Sequence, residues 1–224
     1  MHPGTDNQQR RPEYLESGKW LVGPSEGVAI EVRPPASRRT LPTVQKVLRL
    51  DLVSHGMTEA MRKARFPVDE SLTEAGRRAI AACGRLTAAR VLTGPERRTV
   101  ETAALMGLPG EEDTRLRDLD AGAWRGGELM SVPQDELYAW LTDPQFRGHG
   151  GESVTDVVER TRYWMAEIAS EGMSTIAVTH PAVIRAALLV TLDAPPKSFW
   201  RIDIPPGSVT RLHYRGEWTL HFTA

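Results

Sequence analysis

The chain has 224 residues, 40% apolar and 25% charged, with a formal net charge of −1, a balance that suits one soluble α/β domain with an extension. The charge leaves no basic excess for a nucleic-acid partner. One cysteine, Cys83, argues against a disulfide framework or a cysteine-based zinc site, and no apolar run reaches the length of a membrane span.

In chain order, residues 1–47 read as an extension. The first 19 are polar and lack a signal-peptide core, which gives a cytoplasmic expectation. Residues 20–22 and 28–33 look like short strands of a hairpin around Gly23 and Gly27, and Pro34-Pro35 with Arg38-Arg39 reads as linker. A domain is expected over 48–224. It opens on a buried strand, 48–53, that ends abruptly at Ser54-His55-Gly56. A polar, basic stretch with Arg62, Lys63 and Arg65 follows. Thr73 then caps a helix expected to run to about Ala89. A short strand at 90–93 leads to Gly94-Pro95, with proline suited to the first turn of a helix ending at Met106. Residues 116–126 have no clean period and read as a loop. Helices are expected at 135–141 and, launched by Gly150-Gly151-Glu152-Ser153, at 153–170. A second buried strand, 174–179, also ends on a histidine, His180, followed by an apolar helix at 183–192 and two strands around Arg215-Gly216. Strands interleaved with such helices predict an α/β three-layer sandwich, with a mainly parallel central sheet and helices on both faces.

If the strands at 48–53, 90–93 and 174–179 are parallel neighbours, their carboxyl ends bring His55, Arg98 and His180 to one crevice. Two imidazoles and a guanidinium suit a cluster of anionic oxygens. Arginine gives bidentate, charge-assisted bonds to phosphate, and a neutral histidine can attack phosphorus. The acidic loop adds Asp118 or Asp120, either able to protonate a leaving alkoxide. No histidine pair has zinc-like spacing with a carboxylate, so neither a metal nor a cofactor is expected.

With these motifs assembled, the chain resembles the histidine phosphatase superfamily, which includes the cofactor-dependent phosphoglycerate mutases. The family's Arg-His-Gly-x-Thr box stands here as Ser54-His55-Gly56-Met57-Thr58, and its Leu-Thr-x-x-Gly helix start as Leu72-Thr73-Glu74-Ala75-Gly76. Its Ser-Pro-x-x-Arg-Ala-x-x-Thr-Ala box matches Gly94 to Ala103, and its Leu-x-Glu-x-x-x-Gly-x-Trp-Glu-Gly loop matches Leu116 to Gly126. Gly-Gly-Glu-Ser is intact at 150–153, and the closing Ser-His-Gly-x-x-Ile-Arg box is Thr179 to Arg185.

The resemblance implies that His55 is a nucleophile that becomes phosphohistidine, with its other ring nitrogen fixed by a backbone carbonyl. It implies that Arg98 and His180 hold phosphoryl oxygens and that Asp118 is the proton donor, one methylene shorter than the family's Glu, with Asp120 as rival. Ser54, Thr58, Arg62 and Arg65 are the further candidates for phosphate contact. The expected activity is hydrolysis of a small organic phosphate, without metal or cofactor, by a chain acting alone or as a homodimer. A mutase is less favoured because the stretch between Trp124 and Gly150 is short. Ser54 stands where the family has an arginine ligand, and Pro181 where it has a glycine. Both motivate an alternative: a degenerate member that binds an anion or performs acid–base chemistry without phosphoryl transfer. Trp124 is expected to line the pocket; His149 reads as a loop histidine, with the edge of the substrate mouth as its alternative place.

Overall fold

Residues 47–222 are described by a computed structural model; the hairpin expected in the extension lies outside them. The elements begin with β1 (Leu48–Ser54), α1 (Glu59–Arg62), α2 (Glu74–Ala81), β2 (Arg90–Thr93), α3 (Arg97–Leu105) and β3 (Glu111–Glu112). They continue with α4 (Gln134–Thr142), α5 (Val154–Glu171), β4 (Thr175–Thr179), α6 (Pro181–Thr191), β5 (Val209–Tyr214) and β6 (Trp218–His221).

The six strands form one sheet in the order β3-β2-β4-β1-β5-β6. β4 pairs in parallel with β1 on one side and β2 on the other, whereas β5 joins β1 antiparallel. Both faces of the parallel centre are covered, which is why these strands are nearly continuous apolar runs. Successive side chains alternate between faces. Leu50, Leu52, Leu92 and Ala177 meet Trp164, Met165 and Ile168 of α5 and Val183 and Ile184 of α6. Val53, Ile176 and Val178 meet Ala103 of α3 and Leu108 just beyond it. Each fully buried leucine contributes about 1.5–3 kcal/mol. The result is the expected three-layer α/β arrangement, with the carboxyl ends of β1, β2 and β4 at one edge. None of the described helices is long and apolar enough to cross a membrane.

Local differences from the sequence expectation have identifiable causes. α2 ends at Ala81 rather than near Ala89, because Gly84 follows within a turn and the chain must extend to enter β2. α3 starts at Arg97, so Pro95 precedes the helix instead of sitting in its first turn; Glu96 is the N-cap residue but makes no side-chain cap bond. A one-turn α1, the two-residue β3 and a 3-10 turn at Pro196–Arg201 were not foreseen. α5 begins as expected, with Ser153 and Asp156 forming a reciprocal capping box.

Candidate active site

His55 follows β1 directly and is 3% exposed. Its N–H donates to Thr179 O at 3.0 Å, tying the end of β1 to the end of β4. Its ring Nδ1 lies 2.8 Å from Gly56 O. A carbonyl can only accept, so Nδ1 carries the proton and Nε2 keeps a free lone pair. Burial first, then His180 and Arg98 beside it, push the His55 pKa down to about 3. The ring is therefore a neutral base at neutral pH.

The turn after His55 is held by the two boxes downstream. Gly56 N–H donates to Thr102 Oγ1 at 3.0 Å. Thr73 caps α2 through Gly76 N–H, and its own N–H donates to Met57 O. A Cβ on Gly76 would lie 2.5 Å from Met57 O, so glycine is required for that close approach.

His180 is fully buried, its ring 5.1 Å from that of His55 in an edge arrangement. Its Nε2 is 2.7 Å from Glu96 Oε2 and its Nδ1 is 3.5 Å from Asp118 Oδ2. Glu96 was not singled out from the sequence. Its other oxygen accepts the Asp118 N–H at 2.9 Å. Burial raises the Glu96 pKa, but the bonds from His180 and the Asp118 N–H outweigh it and lower the value. The signal that could have found it was Gly94, standing where the family box has serine. A Cβ there would lie 2.9 Å from Leu116 O, 3.1 Å from His180 Nε2 and 3.2 Å from Glu96 Oε2, so the acid-loop backbone, the histidine and the glutamate together fill the space a serine would need.

Arg98, 2% exposed on α3, donates from Nη1 to Val68 O and from Nη2 to Asp118 Oδ2, both at 2.9 Å. Asp118 Oδ1 accepts the Leu119 N–H. Burial pushes the Asp118 carboxyl up, but His180, Arg98 and His55 around it prevail and hold its pKa at about 2. The acid loop itself is clamped from α5. Arg160 donates to the carbonyls of Arg115, Arg117 and Asp118 and pairs with Glu152. Gly122, at φ +52, and Gly151 let this loop abut the Gly-Gly-Glu-Ser segment: a Cβ on Gly151 would lie 2.0 Å from Asp120 O.

A cavity of about 240 Å³ opens on this cluster and is lined by His55, Arg98 and Asp118. Among the described residues, three buried polar atoms at or beside it lack a hydrogen-bond partner: Arg98 Nε, His180 Nδ1 and Ser54 Oγ. Thr58 and Arg65 also line the cavity, Thr58 capping α1 and Arg65 paired with Glu128.

The other expected contacts need correction. Ser54 is sealed in the sheet at 0% exposure and does not line the cavity. Arg62 is on the surface, paired with Glu59, because the one-turn α1 points it outward. Asp120 is paired with Arg125 and accepts the Gly122 N–H; it lines a smaller cavity on the other side of Arg98 and Asp118 and not the one that His55 lines. Trp124 packs behind the wall, against Phe66 and Trp140. His149 is buried against Trp124, with Nδ1 accepting the Gly151 N–H. Residues not anticipated at the cavity are Phe66, Trp140, Trp200 and Arg185, the last one helical turn past His180 on α6. No group of three or more His, Cys, Asp or Glu among the described residues is arranged to hold a metal ion.

Comparison with known proteins gives a consistent relationship. Residues 50–222 match the model of the histidine phosphatase superfamily, branch 1. The chain is 31% identical over 193 residues to a glucosyl-3-phosphoglycerate phosphatase of Mycobacterium tuberculosis, covering 76% of this chain and 86% of that protein. It is 30% identical over 178 residues to a bifunctional protein of the same organism; the match covers 72% of this chain but only 49% of that one. The solved structure of a mycobacterial glucosyl-3-phosphoglycerate phosphatase in complex with VO3 superposes with a TM-score of 0.67 at 26% identity, covering 78% of this chain and 97% of that one.

Proposed function

The chain belongs to the histidine phosphatase superfamily, and from that premise we propose that it is a phosphomonoesterase that passes the phosphoryl group of a small organic phosphate to His55 and then to water. The observation that carries the reading is the His55 tautomer: Nδ1 donates to Gly56 O, leaving the Nε2 lone pair as nucleophile in a cavity that also presents Arg98 and Asp118.

In the first step His55 Nε2 forms a bond to phosphorus, the ester P–O bond breaks, and the leaving oxygen takes a proton from Asp118. In the second step water attacks phosphorus and gives a proton to the Asp118 carboxylate. The P–N bond breaks, releasing inorganic phosphate and neutral His55. Arg98, through the unpaired Nε, and His180, through Nδ1, receive phosphoryl oxygens as charge shifts. Glu96 Oε2 sits 2.7 Å from His180 Nε2 and holds the ring with its Nδ1 edge toward Asp118. Arg65, paired with Glu128, and Arg185 add cations to the cavity beside Arg98, where Ser54 offers none.

The free site holds Asp118 ionised, so the proton it delivers must arrive with the substrate. A phosphomonoester monoanion, with a second pKa of about 6, carries that proton. The reading is tested with para-nitrophenyl phosphate and vanadate. Turnover of the ester without added metal, and a vanadate-induced rise in Tm, are expected. A protein that neither hydrolyses the ester nor is stabilised by vanadate contradicts it.

A further inference from the structure

The cavity beyond the phosphate end has an unusual wall for an enzyme of polar metabolites. Phe66, Trp140 and Trp200 form a continuous aromatic surface, with centroids 5.6 Å apart for Phe66–Trp140 and 4.2 Å for Trp140–Trp200. Met61, Leu119 and Leu129 complete it. These residues come from α1 and the segment after it, the acid loop, a 3-10 turn at Leu129–Ser131, α4 and the turn after α6, so the wall is a tertiary construction continuous with the cavity lined by His55.

Its polar capacity is small and largely committed. Thr58 Oγ1 accepts the Met61 N–H, and Arg65 is paired with Glu128. Arg185 donates from Nε to Ile202 O at 2.7 Å, with its guanidinium carbon 5.4 Å from the Trp200 ring centre. Among the described residues, no carboxylate other than Asp118 lines the cavity, and no amide side chain, serine or tyrosine does so. A sugar placed here would set most of its hydroxyls against carbon, because beyond the phosphate end only Thr58, Arg65 and Arg185 offer side-chain polar groups along the wall. Buried polar groups left without partners are strongly disfavoured. An apolar group loses nothing by the same burial and gains contact with the ring faces and edges. Size adds a bound. The cavity is about 240 Å³, whereas a cavity of roughly 150 Å³ holds benzene. A phosphoryl group with one ring, or with a short branched chain, fills the space.

From this wall we infer that the substrate is the phosphate monoester of a compact apolar alcohol, aromatic or branched aliphatic, and not of a sugar. Phe66, Trp140, Trp200, Leu119 and Leu129 form the subsite for its organic part. The inference rests on the phosphatase reading for its chemistry but not for its binding surface.

The test compares benzyl phosphate with glycerol 3-phosphate and glucose 6-phosphate on the full chain. All three release a primary alkoxide, so leaving-group ability is nearly matched and kcat/KM reports the subsite. Benzyl phosphate should exceed both others by about tenfold or more. Leu129→Asn, on a half-buried 3-10 turn outside the core, should collapse that preference, as should Trp200→Ala. In parallel, tryptophan fluorescence titrations with benzylphosphonate and methylphosphonate measure binding without chemistry. Hydrolysis with equal or better use of the glycerol or glucose ester overturns the subsite and leaves the phosphatase reading intact. Preferential binding of benzylphosphonate by a protein that hydrolyses nothing supports the subsite and removes the phosphatase reading. Equal binding of the two phosphonates overturns the subsite whatever the kinetics.

Discussion

His180 Nε2 and Glu96 Oε2 lie 2.7 Å apart, and the same glutamate receives the backbone N–H of Asp118 through its other oxygen. One carboxylate therefore links the histidine at the end of β4 to the acid loop, and it does so from the N-cap position of α3. The side chain has given up capping its own helix to do this.

Glu96→Gln keeps the size of the side chain, removes its charge and leaves one acceptor oxygen where the carboxylate has two. Either the His180 bond or the Asp118 N–H bond is lost, and the one that remains is neutral and about half as strong. The expected result is a fall in kcat of about tenfold with little change in KM, because the interaction strengthens as charge develops on phosphorus. Steady-state kinetics on the variant checks this. Unchanged kcat would leave Glu96 as packing only.

Asp118 and Asp120 are separated by their partners: Asp118 meets Arg98 and His180, whereas Asp120 meets Arg125 outside the cavity. Asp118→Asn is expected to slow benzyl phosphate on the order of a hundredfold or more, and para-nitrophenyl phosphate far less, because an activated phenolate leaves without a proton. Asp120→Asn should leave that ratio nearly unchanged. For the wild type, kcat/KM with benzyl phosphate should fall as pH rises through about 6, where the monoanion that brings the proton disappears. The pair of substrates run across pH measures both effects.

The site also writes itself into stability. The His55 pKa is about 3 in the folded chain against 6.5 for the free side chain. The unfolded state thus binds more protons between those values, and stability attributable to this residue is lost as pH falls from 6.5 toward 3. The slope is at most one proton, about 1.4 kcal/mol per pH unit. Denaturant unfolding at pH values around 6, 5 and 4 should show wild type losing stability more steeply than His55→Gln, by about that amount per unit. Parallel curves would contradict a buried, neutral His55. Asp118 acts in the same direction at lower pH: its depressed carboxyl contributes stability that is lost as pH falls through about 2.

Much of this architecture was readable in the chain itself. The apolar runs of β1 and β4 ending on histidines, and the capping residues Thr73 and Ser153, are local signals, and the structure joins them in one sheet as expected. What could not be read depends on distant pairings. Glu96 meets His180 only because β2 and β4 are neighbours, and Trp140 meets Trp200 across a helix pair. Ser54 was judged by its place in a motif, but the sheet seals its side chain beside β4. Arg62 and Arg65 are both basic residues of one polar stretch, and the one-turn α1 sends the first to solvent and leaves the second at the cavity.

Covalent transfer to His55 leaves a phosphorylated protein that can be trapped. The protein is mixed with a radiolabelled phosphomonoester that it hydrolyses, quenched within one turnover and mapped by peptide. Acid-labile, base-stable phosphate is expected on His55 alone, appearing and decaying fast enough to carry turnover, with both label and hydrolysis lost in His55→Ala. Label on another side chain, or hydrolysis by His55→Ala at the wild-type rate, would contradict it.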